Sequence, residues 1–96
     1  MVDKAIYEQV HQWMEAHKEN MIHDIQRIVR IPSISKPEEE IKPFGAACRQ
    51  AMDEMLQIGR EHGFYTENYE YYVGSIGKKK KKWDDMIGFW NHLDVV

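Results

Sequence analysis

The sequence predicts an α/β protein in which two N-terminal helices precede the first strands of a mixed sheet. Two stretches place apolar residues three and four positions apart, which is the period of an amphipathic helix. After Gly63 the pattern changes toward alternation and becomes rich in Tyr, Thr and Phe, as in β-strands. The last stretch, residues 86–96, is nearly continuously apolar, which is typical of a central strand covered on both faces.

The composition limits both the size and the class of the protein. The chain has 96 residues, which is enough for one small domain at most. Its 16 acidic and 13 basic residues give a net charge of −3, which argues against a dedicated nucleic-acid-binding protein. No apolar stretch approaches the ~20 residues of a membrane span, and the first residues lack the apolar core of a signal peptide. One cysteine fits a reducing compartment, so we expect a cytoplasmic location.

The first helix is predicted over residues 3–30. Asp3 is placed to cap its first turn, and basic residues near its end complement the helix dipole. Pro32 disfavours helical geometry at the residue before it, so the helix should stop there. The length of the helix leaves open a break near residues 18–20. One stripe is formed by Ile6, Val10, Trp13, Met14, His17, Met21, Ile25, Ile28 and Val29.

A polar connection over residues 33–42 leads to a second helix, predicted over residues 43–62. Pro43 suits the first helical position, and Gly63 suits the left-handed conformation that ends a helix. Because Cys48 lies on the apolar face of this helix, we expect it to be a small core residue and not a nucleophile. The predicted buried face consists of Phe44, Ala47, Cys48, Ala51, Met52, Met55 and Ile58.

Two short strands are predicted next, over residues 64–72 and 73–76. The lysine run at 78–82 is interpreted as a solvated loop between antiparallel strands, because no aromatic residue is interleaved with the lysines. Binding of nucleic acid or of a membrane surface by these lysines is the alternative. The apolar strand at 86–96 needs helices on both faces and strands at its edges. We therefore expect the chain to be a truncated piece of something longer.

His92 and Asp94 interrupt the apolar pattern of this last strand. Residues two apart in a strand project from the same face, so the imidazole and the carboxylate should lie together. A carboxylate beside a histidine can fix its tautomer and orient the ring toward a metal ion, as in zinc sites. The spacing alone leaves a metal site and a structural pair equally open. Exposed or capping positions are expected for His11, His17, His23 and His62.

Four segments in this order resemble a family of dinuclear zinc metallopeptidases. They are I-V-R-I-P-S-I-S at 28–35, A-A-C-R-Q-A-M-D-E-M-L at 46–56, H-G-F-Y-T-E-N at 62–68 and N-H-L-D-V-V at 91–96. The last segment is similar to the first metal motif of the family, which includes PepV-type dipeptidases, carboxypeptidase G, succinyl-diaminopimelate desuccinylase and aminoacylases. The pattern F-Y-T-E-N-Y-E-Y-Y-V-G at 64–74 resembles the PepV-like dipeptidases most.

This resemblance implies that residues 1–96 are the N-terminal part of a three-layer α/β/α zinc-peptidase catalytic domain, without the lid and dimerisation domain. It implies that His92 is a ligand to one of two zinc ions, with manganese or cobalt as alternatives, and that Asp94 is the catalytic-site carboxylate that orients it. A metal-activated water would hydrolyse the peptide bond of a dipeptide, a small peptide substrate. The other ligands and the general base would lie beyond Val96. The lid domain of the family often mediates dimerisation, so a homodimer is one possibility for the full-length enzyme, whose oligomeric state the sequence leaves open. The isolated chain would be inactive.

The sequence departs from the family at two points. Asn91 stands where the family usually has glycine before the metal-binding histidine, and the lysine run is unusually uniform. The alternative function is a complete, non-catalytic interaction module whose last strand pairs with the edge of a partner's sheet.

Overall fold

The computed structural model describes residues 3–78 and 87–96 and shows two helices followed by a β-hairpin. This order of elements agrees with the predicted α/β class, but a third layer is not among the described elements. The elements are α1 (Lys4–Val29), α2 (Ala46–Glu61), β1 (Tyr65–Tyr69) and β2 (Val73–Gly77).

Helix α1 runs from Lys4 to Val29 without a break at residues 18–20. The Asp3 carboxylate accepts a hydrogen bond from the amide of Ala5 at 3.1 Å, which confirms the predicted cap. No residue of α1 is buried, and its apolar stripe stays half-exposed, with Trp13 at 56%. Neither helix in the described part of the chain has the apolar length required to cross a bilayer.

Helix α2 begins at Ala46, so the prediction that Pro43 is its first residue is wrong. Pro43 follows a cis peptide bond in the turn before the helix, and Gly45 is the N-terminal cap with a φ of 97°. The Glu39 carboxylate accepts from the amide of Ala46 at 3.1 Å. A Cβ on Gly45 would lie 2.8 Å from this carboxylate. The start of α2 is therefore set by a side chain from seven residues upstream.

Gly63 ends α2 as predicted, with a φ of 81°. Its amide donates to the carbonyl of Arg60 at 3.0 Å, and the amide of Phe64 donates to the carbonyl of Gly59 at 3.0 Å. This pair of bonds is the Schellman motif, which satisfies carbonyls that the helix leaves free and turns the chain toward β1.

Strands β1 and β2 pair antiparallel along their full length. The first strand ends at Tyr69 and not at residue 72, because Glu70 and Tyr71 adopt positive φ angles of 55° and 62° and reverse the chain. The Asn68 side chain supports this turn by accepting from the amide of Tyr71 at 2.8 Å. The hydrogen-bonded side chain of Asn68 therefore stabilises the hairpin turn, which contains no glycine.

The turn of the hairpin contacts α2 through Tyr71. The Tyr71 hydroxyl donates to the Asp53 carboxylate at 2.8 Å, and the guanidinium of Arg49 lies 4.2 Å from the centre of the ring. The hydrogen bond to Asp53 raises the pKa of Tyr71, and burial of the hydroxyl raises it further. These contacts fix the distal end of the hairpin on the helix.

The core lies between α2 and the hairpin. Ala51 and Ile58 are buried as predicted, and Leu56 and Gly59 are also buried, which the pattern did not single out. A Cβ on Gly59 would lie 2.9 Å from Cγ2 of Ile76, so the absence of a side chain allows β2 to approach the helix. The remaining residues of the predicted buried face are half-buried: Phe44, Ala47, Cys48, Met52 and Met55.

Charged side chains join α1 to α2. The Arg27 guanidinium donates to both carboxylate oxygens of Glu61 at 2.6 and 2.9 Å and to Glu54 at 2.6 Å. These bonds raise the pKa of Arg27, and the bond from Arg27 lowers the pKa of Glu61. At the same interface Nε2 of His62 lies 2.9 Å from Oδ2 of Asp24. His62 is exposed, which agrees with its predicted exposed or capping position, and its ring also contacts Asp24 of α1.

Residues 87–96 do not form the predicted central strand. Within them only Val95 is paired, in an isolated parallel bridge to Ile34. A covered strand needs neighbours at both edges and layers on both faces, and the described residues supply neither. The lysines at 79–82 and the first residue of the predicted strand lie outside the described residues. The exposed fractions are 87% for Ile87, 88% for Phe89 and 93% for Trp90.

We expect Arg27→Gln to destabilise the chain, because it removes the donor that joins α1 to Glu54 and Glu61. The pKa of Glu61 is lowered from 4.5, so its contribution to stability is complete above that pH and is lost as the pH falls through the lower folded-state pKa. The wild-type chain should therefore lose stability more steeply than the variant as the pH falls below 4.5. Urea unfolding followed by circular dichroism measures both effects.

Arg30→Gln is the matched control, since it removes the same charge from an exposed residue at the end of α1. Equal urea midpoints for the two variants, or parallel pH profiles for wild type and Arg27→Gln, would show that the ion cluster does not hold the helices together.

Gly59→Ala tests how closely β2 approaches α2. In an exposed helix this change gains about 1 kcal/mol, but here the new Cβ would meet Ile76, so we expect a loss of stability. In an Ile76→Ala background the same change should cost less, because the opposing methyl groups are gone. Urea midpoints for the four proteins form a double-mutant cycle, and strict additivity would contradict the contact.

Candidate functional site

A short segment after α1 holds the last described residues of the chain. Ser33 is 1% exposed, and its hydroxyl donates to the carbonyl of Leu93 at 2.9 Å. Its own carbonyl accepts from the amide of Val95 at 3.0 Å. These bonds join residues that are about 60 positions apart in the sequence. They place residues 93–95 against the body of the protein.

The bend that turns Ser33 inward is local in origin. Pro32 ends the helix, as predicted, and Ile31 is 7% exposed and anchors the segment in the core. The amide of Ser33 donates to the carbonyl of Ile31 at 2.8 Å, and the amide of Ile34 donates to that of Pro32 at 2.8 Å. Two successive three-residue turns therefore shape this segment.

His92 and Asp94, the predicted site residues, lie side by side. Nδ1 of His92 is 3.0 Å from the main-chain oxygen of Asp94 and 3.4 Å from its carboxylate oxygen Oδ1. A ring nitrogen that faces two acceptors carries the hydrogen, so the lone pair of the neutral ring is on Nε2. The His92 side chain is 83% exposed and that of Asp94 is 54% exposed.

The nearer partner of the imidazole is the main chain of Asp94, whereas the sequence led us to expect its carboxylate. Both acceptors nevertheless favour the same tautomer, with Nε2 available to a ligand. The structure brings the two residues together. Their roles as metal ligand and orienting carboxylate stay predictions.

The donor set for a metal ion is incomplete. A catalytic zinc ion takes about three protein ligands and keeps an open position. Within residues 3–78 and 87–96, no group of three histidine, cysteine, aspartate or glutamate side chains could hold a metal ion. The described residues therefore do not fit a zinc ion by themselves, and the predicted zinc remains an expectation.

Cys48 lies next to the same segment. Its Sγ donates to the carbonyl of Ser33 at 3.5 Å. Burial raises the pKa of the Cys48 thiol, and the negative charges of Asp94 and then Glu39 raise it further. A thiol that stays protonated is a poor nucleophile, so this environment suits the predicted packing role.

The remaining histidines have structural partners or lie on the surface. Nδ1 of His17 is 2.8 Å from the carbonyl of Trp13, and the two rings stack with centroids 4.1 Å apart. The spacing of four between these residues is the signal for this contact, which the sequence prediction missed. His11 and His23 are exposed on α1, as expected.

A wide, mostly apolar cleft of about 1770 Å³ lies between α2, the hairpin and the final segment. Ser33, Cys48, His92 and Asp94 all contribute to its walls. The cleft exceeds the ~300–1,000 Å³ of pockets that enclose small ligands. Residues 87–94 of the final segment line one side of it.

Ser33 is the residue that sequence reasoning missed. It was included in the I-P-S-I-S segment of the resemblance, but no role was assigned to it. The available signal was its position directly after the proline that ends α1, where the chain must change direction.

Comparison with known proteins places the chain near proteins named as dipeptidases. It is 34% identical over 84 residues to "Putative dipeptidase YtjP" of Bacillus subtilis (strain 168), which covers 82% of this chain and 17% of that protein. It is 34% identical over 90 residues to "Putative dipeptidase SH1171" of Staphylococcus haemolyticus, covering 88% of this chain and 19% of that protein. A Staphylococcus aureus (strain NCTC 8325 / PS 47) protein, "Putative dipeptidase SAOUHSC_01868", is 29% identical over 86 residues.

The chain thus spans less than a fifth of the length of these curated relatives. No family model matches it. No solved structure matches it either. The names of the relatives point to hydrolases of the dipeptidase kind and specify neither a metal ion nor a substrate sequence.

We expect Cys48 to react slowly with a thiol-modifying reagent at pH 8. Its raised pKa leaves less thiolate in the folded chain than in the unfolded one, so modification in urea should be severalfold faster. When the modification rate is plotted against pH, its midpoint should lie at a higher pH for the folded chain than for the unfolded chain. Equal rates in the folded and unfolded chains would contradict the hydrogen-bonded, protonated thiol.

Proposed function

We propose that these residues are part of a zinc-dependent dipeptidase in which His92 is one metal ligand. The observation that carries this proposal is the pairing of Nδ1 of His92 with Asp94, which leaves the Nε2 lone pair for a ligand. Similarity to proteins named as dipeptidases over 82% and 88% of the chain supports the hydrolase class.

In this proposal, the work of the described residues is to present one imidazole in a fixed form. The contact with Asp94 holds the hydrogen on Nδ1 and restricts rotation of the ring. The nearby carboxylate raises the electron density of the imidazole and so strengthens Nε2 as a ligand. The proposal assigns the remaining ligands and the general base to residues outside this sequence.

The isolated chain is inactive in this proposal. One imidazole does not supply the three ligands of a catalytic zinc ion. Dipeptide substrates, a second zinc ion and a homodimer belong to the proposal through the family resemblance, and a cytoplasmic location belongs to it through the single cysteine. The relatives are long enough to contain further ligands and a further domain, since this chain matches 17–19% of their length.

An interaction module remains the second candidate, and the final segment favours it. Ile87, Phe89 and Trp90 are each more than 85% exposed, and within residues 87–96 the only backbone bridge is at Val95. An extended apolar segment with free main-chain groups can add to the edge of a partner's sheet.

The test of the dipeptidase proposal uses the whole open reading frame that contains these residues. Its product, purified with zinc, should hydrolyse dipeptides. Asp94→Ala should lower kcat/KM by about 10- to 100-fold, the usual cost of losing the partner of a metal-bound histidine. His92→Ala should lower it further, because a ligand itself is removed. His11→Ala, a change to an exposed histidine of α1, should leave the activity unchanged.

Wild-type activity in His92→Ala, or a folded whole product without dipeptidase activity, would refute the proposal. A reading frame that stops at Val96 would favour the interaction module. The 96-residue chain with added zinc provides the background rate, and turnover above that of its own His92→Ala variant would contradict its inferred inactivity.

A further inference from the structure

We propose that Ser33 is the positioning residue of the His92–Asp94 pair, an inference that rests on the proposed function of that pair. Ser33 reaches the main chain on both sides of Asp94. Its hydroxyl donates to the carbonyl of Leu93 at 2.9 Å, and its carbonyl accepts from the amide of Val95 at 3.0 Å. Two contacts thus fix the two peptide groups that flank Asp94.

One of these peptide groups connects Ser33 directly to the imidazole. The peptide between Asp94 and Val95 donates through its N–H to Ser33 and accepts through its C=O from Nδ1 of His92, at 3.0 Å. The bond to Ser33 orients this carbonyl and polarises it, which makes it a better acceptor. Ser33 therefore controls the group that holds the His92 hydrogen on Nδ1.

The burial of Ser33 explains why a hydroxyl is needed there. Ser33 is 1% exposed, and a buried hydroxyl is costly unless it is hydrogen-bonded. Its partner is the segment that carries the pair, so the energy of this bond is available only when the segment is docked. The Cys48 thiol contacts the carbonyl of Ser33 and not the carbonyl of Leu93, so it does not duplicate the hydroxyl.

The chain beside Ser33 offers a matched control. Ser35 is two residues away and lines the same cleft, but it is exposed. Ser35→Ala therefore removes a hydroxyl from the same loop without touching the bonds to residues 93–95. Ser33→Thr keeps the hydroxyl and is the conservative variant that should restore the wild-type behaviour.

The experiment is NMR spectroscopy of the ¹⁵N-labelled 96-residue chain at pH 8, above the ordinary titration range of imidazole. Ser33→Ala should raise the exchange rate of the Val95 amide about two- to tenfold, as expected for the weakening of one hydrogen bond. Ring ¹⁵N shifts should show that the Nδ1–H tautomer of His92 falls toward the mixture seen for exposed His11. Ser35→Ala should change neither quantity, and Ser33→Thr should restore both.

Unchanged Val95 exchange and an unchanged His92 tautomer in Ser33→Ala would overturn the inference. Circular dichroism and the amide shifts of the hairpin report whether that variant folds. If it does not fold, Ser33→Cys in reducing buffer decides, because a thiol of similar size is a weaker donor. A reduced Nδ1–H fraction in that folded variant supports the positioning role, and a wild-type fraction overturns it.

These readouts separate the inference from the proposed function. An active whole protein together with a His92 tautomer that is unchanged in Ser33→Ala would overturn the positioning role alone. A His92 tautomer that depends on Ser33, together with an inactive whole protein, would overturn the dipeptidase proposal. Ser33 would then still be the residue that determines the tautomer of His92.

Discussion

The hydrogen bonds of Ser33 are the interaction on which the candidate site depends. They connect the end of the first helix to residues 93–95 across most of the sequence. A parallel bridge between Ile34 and Val95 lies beside these bonds. The hydrogen bonds of Ser33, one from its hydroxyl and one to its carbonyl, therefore hold residues 93–95 beside the end of the first helix.

The rest of the fold provides a support for that turn. Helix α2 lies between the hairpin and α1 and contacts each of them through specific side chains. Gly59 allows Ile76 of the hairpin to come close, Tyr71 of the hairpin turn donates to Asp53, and Arg27 of α1 binds Glu54 and Glu61. Since burial is concentrated in α2 and Ile31, the anchor of Ser33 is in the best-packed part of the chain, while His92 extends into the open cleft.

The candidate site is open to solvent in the described residues. A dipeptidase needs several metal ligands and walls that enclose a substrate, and the described residues present one exposed imidazole beside a wide cleft. The exposed apolar residues of segment 87–96 support an interaction module, and they would also suit a strand that pairs with other strands. The dipeptidase hypothesis and the interaction-module hypothesis differ in what covers Phe89 and Trp90. In both hypotheses Ser33 holds the segment to the body of the protein.

The sequence by itself determined those features whose causes lie within a few residues. Asp3 caps α1, Pro32 ends it, Gly63 ends α2, and the change of period places the hairpin, because each effect acts through the local backbone. The sequence also singled out His92 and Asp94, since a spacing of two is enough to bring them together. Only the tertiary structure decided the start of α2, which depends on Glu39, the contact of His62 with Asp24, and the role of Ser33. These features depend on hydrogen bonds between residues distant in the chain. Residues 87–96 do not form the predicted strand among the described elements, because burial of a strand is a property of its neighbours and not of its own residues.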